Sequence, residues 1–221
     1  QMLLAAAMFW AAYQTSESLP FWPINPSIAS DPSFTFQLDL VRCFYVVLPG
    51  AILWGASFPL ALAAVVSKGQ DPATLVGRVY AANTVGGIVG SLLASLLLVW
   101  WIGSQHAQQI LMGISLVGGL MLLAPAVSEA DDKKSGFAFG PAILLVIATG
   151  VGGLLVRNLP AIPPILVAYG RYAATWLGQN EIVYMGEGLQ ASVAVSRTPN
   201  GVLNYHNAGK VQASSEPQDM R

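Results

Sequence analysis

ILLVIATGVGGLLVRNLPAIPP, residues 143–164, divides the chain into two parts with different solvents. Up to Arg157 the sequence is a series of apolar segments of bilayer-spanning length. Beyond it, prolines at 160, 163 and 164 break any helix, and a polar stretch with strand-like alternation follows. The first part predicts lipid as its surroundings and the second predicts water.

Composition agrees. Of the 221 residues 54% are hydrophobic and 10% charged, against roughly 25% charged in an ordinary soluble domain. From Val79 to Trp101 there is neither acid nor base, and from Leu40 to Val66 the ionisable groups of note are Arg42 and Cys43. A net charge of −1 gives nucleic-acid binding no electrostatic support. The single cysteine, Cys43, excludes an internal disulfide and a cysteine metal cluster, and suits apolar packing. His106 and His206 lack ligand spacing, so no metal is expected. Gln1 opens inside an apolar run without the charged region of a signal peptide, so both ends look cut.

The expected fold class is mainly α, with polytopic membrane helices followed by a small antiparallel β-meander that starts a soluble α/β module. Five segments are expected in residues 1–157: Met2–Tyr13, about Leu40–Val66, Arg78–Trp101, His106–Ala124 and Phe139–Val156. Pro49 and Pro59 predict kinks in the second. A loop is expected over Gln14–Gln37, where Phe21 and Trp22 suit a membrane interface. A polar hairpin is expected over 67–78 and a charged loop over 128–136. Residues 158–180 form a linker, in which Ile165, Tyr169, Tyr172 and Trp176 recur at helical spacing. That helix would lie on the membrane or cover the next module. Strands are expected in EIVYMG, LQASVAVSR, GVLNYHN and VQASS, with turns at Thr198–Gly201 and Asn207–Lys210, over residues 181–221.

Ala82, Gly86, Gly90 and Ala94 form a small-residue row, with Gly87, Ser91 and Ser95 beside it. Such rows let helix backbones approach, here as the Gly86/Gly90 face of a helix–helix oligomer. A sliding face in a transporter is the alternative. Asn83 serves as interhelical glue or contacts substrate. Asp39 and Arg42, three apart, suit an interfacial ion pair. Gly150, Gly152 and Gly153 lack the Lys-Ser/Thr of a phosphate loop and suit helix packing. No Ser-His-Asp grouping is present to act as a nucleophilic site. The excess of Lys68, Arg78, Lys133 and Lys134 on one side favours a cytoplasmic location for those loops, which puts the C-terminal module outside.

The stretch YMGEGLQASVAVSRTPNGVLNYHNAGKVQASSEP, residues 184–217, resembles the N-terminal β-domain of the spermidine synthase (polyamine aminopropyltransferase) family. GASFPLALAAV and GRVYAANTVGGIVGS resemble the helical half of the fused major-facilitator-like/spermidine-synthase proteins. The resemblance implies a membrane-anchored protein, in the bacterial inner membrane, whose whole chain transfers an aminopropyl group from decarboxylated S-adenosylmethionine to an amine. No cofactor is implied, with decarboxylated S-adenosylmethionine as co-substrate. By resemblance, Gln190 contacts the nucleoside and Gln212 lies at the polyamine-side wall. Here SSEPQDMR stands where soluble members carry an acidic pair and Tyr-His, and the Gly-rich loop and catalytic Asp would lie beyond Arg221. No catalytic residue is therefore expected in this stretch, and Tyr205 and His206 are expected to serve strand pairing. Because the nucleoside is made in the cytoplasm, the resemblance favours that side for the module, against the charge count. The rival reading is half of a major-facilitator-like transporter with a polyamine- or nucleoside-sensing tail.

Overall fold

The computed structural model describes residues 1–22, 31–65, 71–132 and 139–219. Its helices are α1 (Met2–Tyr13), α2 (Pro32–Val65), α3 (Pro72–Leu93), α4 (Val99–Asp132), α5 (Phe139–Arg157) and the short α6 (Pro164–Tyr169). Short stretches of π-helix (Gln14–Ser18, Ala94–Leu98) and 3₁₀-helix (Leu19–Phe21, Gly170–Trp176) extend them. Four strands follow, β1 (Glu181–Glu187), β2 (Ser192–Arg197), β3 (Leu203–Asn207) and β4 (Lys210–Ser214).

Two helices start earlier than hydropathy predicts, and one dipeptide explains both. Asp31–Pro32 and Asp71–Pro72 each put a carboxylate at the cap and a proline at the first helical position. The Ser33 amide donates to Asp31 Oδ1 at 2.9 Å. The Ala73 and Thr74 amides donate to Asp71 at 3.2 Å each, and Thr74 Oγ1 donates at 2.7 Å. These bonds, the Thr74 hydroxyl first, hold the Asp71 carboxyl below its usual range. Proline loses nothing there, since its missing N–H has no helical partner. The loop expected up to Gln37 therefore ends by Asp31, and the hairpin expected up to Arg78 ends by Asp71. The charged loop also shortens, because Ser128–Asp132 belong to α4; residues 133–138, with Lys133 and Lys134, lie outside the described residues, as does Lys68. The helix α2 continues through Pro49 and Pro59.

Pro32–Ala64 (33 residues, mean hydropathy 1.8) and Ala73–Leu123 (51 residues, 2.1) are long and apolar enough to cross a membrane. The second run contains one non-helical residue, Gly103, at φ 79° and ψ 164°. Side-chain-bearing residues essentially never adopt that conformation, which costs about 1–3 kcal/mol to hold. Gly103→Ala should accordingly lower the unfolding free energy, read by chemical denaturation, by that amount.

The chain forms two compact units: one of 1–11, 47–93 and 108–159, the other of 12–46, 94–107 and 160–221. In the first, Leu4, Ala5, Met112 and Leu116 are buried. Side chains of neighbouring segments press on two glycines. A Cβ on Gly119 would lie 3.1 Å from Met2, and one on Gly152 would lie 2.6 Å from Leu116. The Gln109 amide donates to the Val156 carbonyl at 3.0 Å. Packing thus joins α1, α4 and α5; of the three glycines expected to serve it, Gly152 does, whereas Gly150 and Gly153 meet nothing within 4 Å among the described residues. The Gly86, Gly87 and Gly90 rows of α3 meet nothing within 4 Å among the described residues.

In the second unit the sheet is a meander, order β1-β2-β3-β4, antiparallel throughout. Each edge strand carries one extra residue. Ile182 pairs with Ser196 and Tyr184 with Val195, which leaves Val183 unpaired. Tyr205 pairs with Ala213 and His206 with Val211, which leaves Gln212 unpaired. The expected second strand loses its beginning, because Leu189, Gln190 and Ala191 lie in the β1–β2 turn. Gly188 donates to the Ala191 carbonyl at 3.0 Å and closes that turn, so these residues have no ladder partner.

Candidate functional site

The linker covers one face of the sheet. Alternation along β2 turns Ala194 and Ser196 inward, both fully buried, and their neighbour on β3 is the fully buried His206. Ala168 and Tyr169 of α6 pack onto this face, with Ile165, Val167 and Ile182 around them. The helix ends there because Gly170 has a positive φ of 53°, and the chain tightens into the 3₁₀ turn. Gly170 lies against Gly209 of the β3–β4 turn, where an added Cβ on Gly209 would be 3.0 Å from the Gly170 Cα.

Four polar side chains run through this contact. Asn180 Nδ2 donates to the Tyr169 hydroxyl at 2.6 Å. Tyr169 and Ser196 Oγ are 3.2 Å apart, and Ser196 Oγ and His206 Nε2 are 2.8 Å apart. With Asn180 donating, the hydroxyl hydrogens run from Tyr169 to Ser196 and from Ser196 to Nε2. His206 is then the Nδ1–H tautomer, assigned by the network. Nδ1 faces the Ala168 backbone without a well-formed hydrogen bond. Desolvation pushes the His206 pKa down, and the Ala168 backbone opposes it in part. The Tyr169 ring stacks on Trp176 (5.0 Å, 12°) and meets His206 edge-on (4.8 Å, 68°).

Ser196 and His206 stand at nucleophile–base distance. Both are fully buried, so no substrate reaches the hydroxyl, and the chain's role is to fix the linker on the sheet. Strand pairing, expected for His206 and Tyr205, is observed: His206 opposes Ala194, and Tyr205 opposes Val195. What the sequence did not reveal is that the imidazole is the polar centre of the core.

A cleft of about 600 Å³ opens beside this network. Tyr169, Trp176, Val211 and Pro199 supply apolar walls, and Gln179, Asn180, Thr198 and Asn204 supply neutral polar groups. Its rim continues past Gly178 to Glu181 and Arg197, paired at 3.6 Å and exposed. Aromatic walls with a few amides suit a flat, largely uncharged ring system. The lining groups are neutral, and the Glu181 carboxylate stands on the rim, paired with Arg197.

Neither Gln190 nor Gln212 lines the cleft. Gln190 is exposed in the turn after Glu187, which pairs with Ser192, whereas the cleft lies where Glu181 pairs with Arg197. The two positions are separated by the length of β2, about 17–20 Å for six residues. Gln212 is exposed and neighbours the cleft residue Val211. Its place in the β4 irregularity re-aims the side chain relative to a regular strand.

Helix ends pack into the same unit. Asp39 of α2 pairs with Arg42 at 3.9 Å, as the spacing predicts, and with Arg171 of the linker at 3.7 Å. The turns Leu19–Phe21 and Gly170–Trp176 lie together. Glu187 at the end of β1 accepts from the Ser104 amide and, at 2.8 Å, from its hydroxyl. Among the described residues no three His, Cys, Asp or Glu side chains are grouped to hold a metal. No protein-family model, curated protein or solved structure matches the chain.

Proposed function

We propose a multi-pass membrane protein whose C-terminal module is spermidine-synthase-like, in a bacterial inner membrane. The observation that carries this reading is the four-stranded meander directly after the last apolar helix, with Gln190 in its first turn and Gln212 at its bulge. The membrane part is supported by exposure. Only 6% and 0% of the two most apolar windows is buried, and Trp54, Leu60, Trp101, Met121 and Val146 are among the open side chains. Apolar surface of this extent needs lipid or partner helices to cover it. The non-helical Gly103 supports reading the 51-residue run as two crossings. At 1.5 Å per residue the undivided run would measure about 76 Å, against ~30 Å of hydrocarbon.

The reaction follows from the resemblance. An amine nitrogen attacks the aminopropyl carbon next to the sulfonium of decarboxylated S-adenosylmethionine. The new C–N bond forms as the C–S bond breaks, methylthioadenosine leaves as a neutral thioether, and the amine proton passes to a general base. The β-module contributes one wall, with Gln190 on the nucleoside and Gln212 on the amine side. Source membranes carrying the whole protein should release methylthioadenosine from decarboxylated S-adenosylmethionine and putrescine. Gln190→Ala should raise KM for the nucleoside about tenfold, as the loss of one hydrogen bond does. Absence of release with any polyamine acceptor sinks the enzyme reading.

The open Gly86/Gly90 face of α3 favours a second reading. It offers a surface to a further helix, as in half of a major-facilitator-like carrier with a sensing tail. Uptake or efflux of labelled polyamine by vesicles, without methylthioadenosine release, would select it.

A further inference from the structure

We propose that Glu187 is a positioning residue, whose carboxylate ties the start of the helical run after Gly103 to the β1–β2 turn that carries Gln190. The inference rests on Gln190 as the nucleoside contact. Both Glu187 oxygens are engaged, Oε2 by the Ser104 amide and Oε1 by the Ser104 hydroxyl at 2.8 Å. The partners are 83 residues apart, and the contact is partly buried. Three features make it specific.

The amide is free to donate because Gly103 leaves the helical conformation, so Ser104 begins a new helical run with an open N–H. A carboxylate at that end also meets the positive pole of the helix. On the sheet side, Glu187 pairs with Ser192 and immediately precedes the Gly188–Ala191 turn, closed by a 3.0 Å bond. Gln190 is thus held between a ladder pair and a carboxylate anchored on a helix. A displacement of that helix end would be felt first at the Gln190 turn and not at the cleft, which lies at the other end of β2.

Hydrogen exchange of the whole protein in lipid nanodiscs tests this. In Glu187→Ala the amides of Ser104 and of Gly188, whose N–H closes the turn, should exchange about tenfold faster, while Val193 and Val195 in β2 keep their protection. Glu187→Gln, which keeps one acceptor, should restore part of the protection. Ser104→Ala, which loses only the hydroxyl bond, should give a smaller change at the same amides and serves if Glu187→Ala fails to fold. Glu181→Ala, at the far end of the same strand, should leave the turn unchanged. Wild-type exchange at Gly188 in folded Glu187→Ala or in Ser104→Ala overturns the proposal. Exchange is read without turnover, so failure of methylthioadenosine release would remove the transferase reading and leave this result standing. Where release occurs, Glu187→Ala should raise the nucleoside KM with little change in kcat.

Discussion

Gly209→Ala should destabilise the C-terminal module by about 2–4 kcal/mol. Gly209 has φ 76°, and left-handed backbone costs a residue with a Cβ roughly 1–2 kcal/mol. The new Cβ would also stand 3.0 Å from the Gly170 Cα and 3.1 Å from its nitrogen, and backbone cannot turn aside as a side chain can. Overpacking of this kind adds about 1–3 kcal/mol. The neighbouring position supplies the control. Ala208 already holds φ 51°, so Ala208→Gly should be neutral or stabilising by up to ~1 kcal/mol. A loss at Gly209 larger than the ~1–2 kcal/mol that left-handed backbone alone costs an alanine, measured as unfolding free energy by chemical denaturation, identifies the close approach of Gly170 and Gly209. A loss no larger than that would refute it.

His206→Ala should cost about 3–4 kcal/mol. It empties a fully buried site, removes the edge-on contact with Tyr169, and leaves Ser196 without its 2.8 Å partner. The same residue makes stability depend on pH. Its folded pKa lies below the ordinary value of 6.5. Below pH ~6.5 the unfolded chain binds a proton that the folded chain refuses, so stability falls as pH drops toward the lowered folded value. Above pH ~6.5 both states are neutral and this contribution is constant. His206→Gln keeps an amide able to meet Ser196 but cannot titrate, so it should flatten the profile in that window. A variant whose acid sensitivity matches the wild type would remove His206 as its source.

The two halves of the fold were not equally legible. Apolar runs show where helices exist because that signal is additive along the chain. The α1 bounds and the end of α5 follow from it to within a residue. Helix starts depend on single capping groups, and the Asp-Pro pairs at 31–32 and 71–72 were present but outside the apolar windows. Strand alternation and Asn-Gly or Ala-Gly turns located the meander. The boundary of β2 was missed because Leu189 and Ala191 continue the apolar pattern through a turn set by the Gly188–Ala191 bond. Likewise the row at Gly86 and Gly90 fits helix packing as well as the lone Gly152 does, and spacing alone cannot say which glycine meets a neighbour. His206 was the hardest to place. A histidine in a strand reads as polar, and its burial depends on Ser196, Tyr169 and Asn180, none of them near it in sequence.

The extra residues in the outer strands bear on how the protein behaves when crowded. Among the described residues no strand pairs with the outer side of β1 or β4, and open strands recruit strands from other molecules. Val183 and Gln212 interrupt the regular spacing of N–H and C=O groups on those two strands. An incoming chain would find its ladder out of step after two or three pairs. The exposed row formed by Tyr184 and Tyr205 can therefore stay accessible at high local concentration without seeding strand-by-strand aggregation.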